Sequence, residues 1–374
     1  MLKNKPEMMM EKYREYADKA IHCGLPYAMW SLPGETKVDY IFCHPEELIK
    51  TYSLSQLDKH KGFIFSPFQI CKHLPIYIIP SGSKVNLENF QCKKKREPII
   101  SSVKQSAFDL ELAKKEHIRQ VNFFLKEFET TKIRKAVLSR SKWLPAYSIK
   151  QMPQLFEALN QTYINAFVYQ IFIPNVGYWV GATPELLFST NNGSATTVSL
   201  AGTQPQKPND EVTWDHKERV EQELVTEHIR NVLKMFRIAP VSEIGPETTI
   251  AGNVVHLKTI LQFSKENIQN RIGQFIENLH PTPAVCGLPV KDSLELILET
   301  EGYDREYYTG FLGPFDPSNK MNLFVNLRCL QAFDDGVLLY AGGGITAESE
   351  PEKEWEETRI KIQTLERILE QLSI

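Results

Sequence analysis

The chain has 374 residues, a formal net charge of −3 and 42% hydrophobic residues, the proportions of an ordinary globular protein of one large domain or two. Lys+Arg 43 against Asp+Glu 46 leaves no basic excess, which excludes nucleic acid as the main partner. The basic run Lys93 to Arg96 is short and isolated, as in a solvated loop.

In chain order, the start, MLKNKPEMMMEKYREYADKA, has charges where a signal peptide needs an apolar core. The most apolar early stretch, GFIFSPFQICKHLPIYIIP, is broken by prolines, Lys72 and His73, too interrupted to span a bilayer. Cys23, Cys43, Cys71, Cys92, Cys286 and Cys329 form no C-x-x-C pair, so zinc and redox motifs are unsupported. A soluble, reduced, cytoplasmic protein without a membrane partner is expected. VDYIFC and LPIYIIP read as short strands among Pro, Gly and Ser breaks. Ile118, Val121, Leu125 and Phe128 recur at helical spacing, which predicts an amphipathic helix within Phe108 to Phe128. IRKAVLSR follows as a strand, with Lys135, Val137 and Ser139 on one side and Ala136, Leu138 and Arg140 on the other.

PQLFEALNQTY is predicted helical, and AFVYQIFIP and GYWVGA pair as strands about Asn175 to Gly177. A strand at ATTVSLAGT precedes a long helix over WDHKERVEQELVTEHIRNVLKMF. TTIAGNVVHLKT reads as one strand, and helices fit Glu266 to Glu277 and Asp292 to Glu299. MNLFVNLRCLQAF and GVLLYAGG are strands joined by the turn Asp334-Asp335-Gly336, and the last helix starts near Pro351. Without an internal repeat or regular βαβ alternation, this order favours an α+β or mixed α/β fold over a doubly wound sheet.

Two of these helices carry paired acids. Glu354, Glu357 and Lys361 share one face of the last helix. Glu218 and Glu221 share a face of the long middle helix, and Val225 and Val232 continue that stripe towards the core. Meeting across a cleft, the two pairs would repel unless a hard divalent cation such as Mg2+ lay between them with substrate oxygens and waters. Two solvated faces with intrahelical ion pairs, such as Glu357 with Lys361, fit the same spacing. Nearby, AGGG stands between a strand and a helix start, where glycine N–H groups can approach an anion. The G-x-x-x-x-G-K-[ST] pattern is absent and the adjacent acids do not suit a triphosphate, so a carboxylate held through Mg2+ fits better. Arg328 shares a strand face with Asn326, opposite Leu323, Val325 and Leu327; it is either an exposed edge residue or a bidentate carboxylate clamp.

Taken in order, KAVLSR, GATPELL, SLAGTQP, HLKT, LHPTPAVCGLP, YYTGFLGP, NLRC and YAGGGITAESEPEKEWEETRIK resemble the motifs of the chorismate-utilising enzymes. That family contains isochorismate synthases, anthranilate synthase component I, aminodeoxychorismate synthase and salicylate synthases. The resemblance runs from roughly Ile118 to the C-terminus. It implies an α+β (mixed α/β) sandwich of two sheets, with helices packed outside and the active-site cleft between. Residues 1–105 would be the weakly matched N-terminal part and 106–374 the chorismate-binding catalytic domain. Mg2+ is the implied cofactor and chorismate, a small dianion, the implied substrate. Carried over by motif, Glu221 and Glu357 would bind the metal, with Glu218 and Glu354 beside them through water. Arg328 and Lys361 would take substrate carboxylates, with Tyr308 and the backbone of Gly342, Gly343 and Gly344, while Thr203 and His256 would line the ring.

The family branches on its nucleophile. Isochorismate synthases, which add water at C2 of the ring as the C4 hydroxyl leaves, resemble this chain in the lysine that opens KAVLSR. The ammonia-using anthranilate enzymes usually have glutamine there. The resemblance makes Lys135 the general base, which must be neutral and so needs a pKa well below about 10.4. It makes Glu185 the general acid, shifted upward to keep its proton near neutral pH. Taken singly, Lys135 also reads as a surface lysine on an edge strand, and Glu185 as a first-turn glutamate after Pro184 at a helix start. Ala201 stands where aminodeoxychorismate enzymes often carry a nucleophilic lysine, and it leaves room for water. The expected activity is therefore isochorismate synthase, feeding menaquinone or siderophore biosynthesis, in a monomer without a glutamine amidotransferase subunit. The rivals are a salicylate synthase that goes on to eliminate pyruvate, an amidotransferase-partnered component, and a non-catalytic chorismate-binding module.

Overall fold

The computed structural model describes residues 5–83, 85–92, 96–97, 99, 109–205, 212–251 and 254–372. It opens with α1 (Lys5–Cys23) and five short strands, β1 (Tyr27–Ser31), β2 (Asp39–Phe42), β3 (Ile49–Thr51), β4 (Gly62–Ser66) and β5 (Ile76–Pro80). Helix α2 (Leu110–Thr130) is capped by Asp109, whose carboxylate accepts from the N–H groups of Glu111 and Leu112, donors that no preceding turn can satisfy. Strand β6 (Lys135–Leu144) and helix α3 (Met152–Thr162) follow. Strands β7 (Phe167–Ile173) and β8 (Gly177–Thr183) form the expected hairpin, with Asn175 at φ 64° in its turn. Strands β9 (Leu186–Asn191) and β10 (Ser194–Pro205) lead to the long helix α4 (His216–Met235).

The remainder departs from the sequence reading at three points. TTIAGNVVHLKT is not one strand but the close of a hairpin, β11 (Ser242–Ala251) and β12 (Val254–Ser264), paired from Ser242 with Gln262 to Ala251 with Val254. After α5 (Ile272–Leu279), β13 (Gly287–Leu288), α6 (Val290–Thr300) and β14 (Phe311–Phe315), MNLFVNLRCLQAF also divides. Its halves are β15 (Met321–Val325) and β16 (Cys329–Ala332), and they belong to different sheets. Arg328 takes φ 47° at the crossing, so it is not part of a strand face shared with Asn326. The helix expected over Glu266 to Glu277 is a short turn, Lys265–Ile268, followed by α5. The glycines of AGGG come at the end of β17 (Val337–Ile345) as expected, paired with Ser139, Leu138 and Val137 of β6. Helix α7 (Pro351–Leu372) closes the described chain.

Two antiparallel sheets result, eight-stranded in the order β13-β6-β17-β16-β8-β7-β1-β2 and nine-stranded in the order β11-β12-β10-β9-β15-β14-β4-β5-β3. Strand alternation explains the layers. On β7, Phe167, Tyr169, Ile171 and Ile173 join Phe63, Phe65, Trp179 and Phe324 in a core that draws on both sheets. Val168 and Phe172 point the other way, into a core shared with α1, α3 and α7. Helices α4 and α5 cover the nine-stranded sheet, and α2 and α6 pack near β6. The early strands β1–β5 complete both sheets.

One cysteine expectation fails. Cys23 and Cys92 are disulfide-bonded, although 69 residues apart, while Cys43, Cys71, Cys286 and Cys329 are free. The fold brings the pair together: the N–H of Arg96 donates to the carbonyl of His22, laying that segment beside the end of α1. Arg96 is not part of a free basic patch either, since its guanidinium grips Asp334 at 2.7 and 2.8 Å; Lys93, Lys94 and Lys95 lie outside the described residues. Among the described residues no helix is long and apolar enough to cross a membrane.

Candidate active site

Strand β6 presents Lys135, Val137 and Ser139 on one face, and Val137 lines a cavity walled by both sheets. Glu185, Ala201, Glu221, His256, Tyr308, Arg328, Gly342, Gly344 and Lys361 share that cavity. Lys135 stands directly behind its wall, fully buried, with Nζ 2.9 Å from Glu221 Oε1. It is therefore no surface lysine. Glu185 lies in the link between β8 and β9, not at a helix start. Its carbonyl accepts from the N–H of Val325 at 2.9 Å, which fixes the link to β15. Burial pushes its carboxyl up to about 7, against the pull of Lys135, Lys361 and Arg328.

A bulge in β10 between Ala201 and Thr203, with Gly202 at φ 70°, turns the Gly202 carbonyl towards His256 Nδ1 at 2.9 Å. A carbonyl only accepts, so Nδ1 carries the proton. Burial, helped by Arg328, lowers the His256 pKa to about 3, so the ring is neutral. Thr203 pairs with His256 in the strand register, but its side chain lies outside the described residues. Tyr308 is buried and stacked on Tyr340, ring centroids 5.0 Å apart. Arg328 Nη1 donates to Thr364 Oγ1 on α7 at 3.4 Å, and Lys361 Nζ donates to the Gly342 carbonyl at 2.7 Å.

The four glutamates divide between two compartments. Glu221 faces the cavity; Glu218, Glu354 and Glu357 line an adjoining cleft of ≈ 520 Å³, which Lys361 also borders. Strand β17 lies against both sets, and its glycines act by what they lack. A Cβ at Gly343 would come within 3.1 Å of Glu354 Oε2 and 3.8 Å of Glu357 Oε1, while one at Gly344 would overlap Glu221 Oε1. None of the three glycines has positive φ, so room rather than backbone freedom accounts for them: room for carboxylates at Gly343 and Gly344, and for Ser139, Leu138 and Tyr308 at Gly342. Clearance is thus a second demand on these positions, beside the N–H groups expected to meet an anion.

Each of three carboxylates has its own lysine: Lys135 on Glu221 at 2.9 Å, Lys217 on Glu354 at 2.5 Å and Lys361 on Glu357 at 2.6 Å. Burial pushes Glu357 up, but Lys361 outweighs it and holds the carboxyl below its usual range. Burial and the neighbouring Glu357 charge push Glu354 up. Among the described residues no three His, Cys, Asp or Glu are gathered closely enough to hold a metal ion. The donor set nevertheless fits a hard divalent cation: it is all oxygen, and Glu218 Oε2 and Glu354 Oε2 are buried with no hydrogen-bond partner. Lys217 was not singled out in the sequence, yet a lysine in the first turn of α4 stands at the wrong end of the helix dipole. That misplacement is the signal that could have marked it.

A second group missed by sequence reading braces the cavity from outside. Arg305 spends all five guanidinium N–H groups: on both oxygens of Glu301, on the carbonyls of Val137 and Val285, and on Thr309 Oγ1. Glu301 Oε1 also accepts from the N–H and Oγ of Ser139. Val137, Val285 and Thr309 all line the cavity. Both charges are buried, so Arg305→Met leaves Glu301 unpaired at a cost of roughly 3–5 kcal/mol. A urea titration should show that loss, and an unchanged midpoint would remove Arg305 as a brace.

Comparison with known proteins places this geometry. The family model for chorismate binding enzymes matches residues 81–370. The vibriobactin-specific isochorismate synthase of Vibrio cholerae serotype O1 is 27% identical over 253 residues, 66% of this chain and 64% of that protein. Isochorismate synthase EntC of Escherichia coli K12 is 29% identical over 244 residues, 63% of this chain and 62% of its own length. In both cases the match spans less than two thirds of the relative. The structure of MenF, the menaquinone-specific isochorismate synthase from Escherichia coli, superimposes with a TM-score of 0.75 at 21% identity, covering 95% of this chain and 91% of MenF. That last likeness is one of fold.

Proposed function

We propose that this chain, which belongs to the chorismate binding enzyme family, is an isochorismate synthase that supplies isochorismate to menaquinone or siderophore biosynthesis. The observation that carries the reading is Glu185: a buried carboxyl with its pKa pushed to about 7, in one cavity with Arg328, Lys361 and Glu221 and near enough to Lys135 to feel its pull. Such a carboxyl keeps a proton to give near neutral pH. Arg328 and Lys361 supply fixed positive charge for the two carboxylates of chorismate. Neutral His256 and Tyr308 wall the ring without adding charge. Ala201 contributes no amine to that wall, which suits water as the nucleophile.

In this reading Lys135 takes a proton from the water that attacks C2, and Glu185 gives a proton to the C4 hydroxyl, which departs as water. Water is consumed and released, so the reaction is an isomerisation. Glu221 and Glu357, with Glu218 and Glu354 beside them, would hold Mg2+, which when bound supplies charge neutralisation for a substrate carboxylate. The protein with chorismate and Mg2+ should form isochorismate by chromatography, without ammonium and without pyruvate. Salicylate and pyruvate would identify a salicylate synthase, product only with ammonium an amidotransferase-partnered component, and binding without product a non-catalytic module.

The pH profile tests the acid. Glu185 acts only while protonated, so kcat should fall as pH rises through about 7. A bound dianion adds negative charge and moves that limb upward. Glu185→Gln should lose roughly 10²–10⁴-fold in kcat and remove the alkaline limb of what remains. A limb that persists in Glu185→Gln belongs to another group.

A further inference from the structure

Of the three lysines paired with these glutamates, Lys217 alone has room to leave. Lys135 is fully buried, and Lys361 is held a second time by the Gly342 carbonyl at 2.7 Å. The Lys217 side chain is 25% exposed on the open cleft, and among the described residues its one hydrogen bond is to Glu354 Oε1. Its acceptor is the reverse case: Glu354 is 1% exposed, and among the described residues none stands within hydrogen-bond geometry of its second oxygen. Lys217 also stands in the first turn of α4, where a helix disfavours positive charge, so the carboxylate across the cleft accounts for its position.

Resting on the reading that these glutamates receive a divalent cation, we propose that Lys217 is a resident counter-cation that competes with that ion for Glu354. In the metal-free protein it neutralises a buried carboxylate that would otherwise repel Glu357, three residues away on the same face of α7. When the ion arrives, the flexible lysine stem swings into the cleft and the carboxylate changes partner. The lysine thus keeps the empty site folded and sets how tightly the ion binds.

Mg2+ binding to chelator-treated full-length protein, measured by calorimetry without chorismate, decides it. Lys217→Met should tighten Mg2+ binding by about tenfold or more, because one opposing unit charge is gone. The metal-free variant should melt below wild type and recover with saturating Mg2+. Lys217→Arg, which keeps the charge and adds a bidentate grip, should bind Mg2+ more weakly than wild type. Equal or weaker Mg2+ binding by Lys217→Met overturns the proposal. If that variant does not fold, Lys217→Arg decides alone, and affinity equal to or above wild type overturns it. A wild-type protein that binds no Mg2+ overturns it as well. Isochorismate formation is assayed separately, so a failure here with normal product leaves the assigned reaction standing.

Discussion

Lys135→Ala is expected to reduce kcat by roughly 10²–10⁴-fold, the range that a positioned proton acceptor contributes, while chorismate still binds. The lysine is fully buried at the edge of the cavity, its Nζ 2.9 Å from Glu221 Oε1, while Arg328 and Lys361 line the cavity itself. Removing it takes away the proton acceptor and spares the cations that face substrate carboxylates. Its partner Glu221 is 15% exposed and can rehydrate, so the loss of stability should be modest. Lys135→Arg sharpens the test: a guanidinium stays protonated, so it puts a fixed positive charge beside Glu221 and cannot accept a proton. Calorimetric titration with chorismate beside steady-state rates separates the outcomes. Parallel loss of binding and turnover, or an active Lys135→Arg, would make Lys135 an electrostatic residue and leave the water without its base.

How far the sequence spoke depended on whether the signal was local. The spacing of Glu218 with Glu221 and of Glu354 with Glu357 is a property of one helix each, and α4 and α7 carry them, with Glu221 on the cavity and the other three on the adjoining cleft. Lys135, Val137 and Ser139 follow from alternation on β6 in the same way. Arg328 did not, because MNLFVNLRCLQAF has unbroken strand composition; only the packing of two sheets forces the chain to cross at φ 47°. The same limit hid the hairpin of β11 and β12, the meeting of Cys23 with Cys92, and the Arg305 brace, whose contacts with Val137 and Val285 lie far away in sequence. Glu185 falls between: its motif was legible, but its raised pKa comes from burial under strands distant in the chain. The glycines show the difference most plainly. Their presence was read directly, but clearance for a carboxylate leaves no mark in one-dimensional order.

That clearance gives the second large expected effect, at a position with no side-chain chemistry of its own. Gly344→Ala should fold and lose most turnover. The backbone does not resist: Gly344 is inside β17, paired with Val137, and its φ is not positive. The added methyl, however, would overlap Glu221 Oε1 and lie 2.9 Å from Lys135 Cε. Overpacking of that kind costs typically about 1–3 kcal/mol, and the site can relieve it only by moving the Glu221 carboxylate or the Lys135 stem. Glu221 is the more mobile of the two, so the ion pair opens and both partners leave their places together. Gly343→Ala makes the informative contrast, because its methyl would be 3.1 Å from Glu354 Oε2 and 3.8 Å from Glu357 Oε1 and would not touch Lys135. It should weaken Mg2+ binding with a smaller effect on kcat at saturating metal, whereas Gly344→Ala should lose kcat that added metal does not restore. Melting temperatures for both variants guard against misfolding. A Gly344→Ala enzyme with wild-type kcat would mean that the Lys135–Glu221 geometry is not needed for catalysis, and the water-activating role would have to pass to a residue in the cavity wall itself.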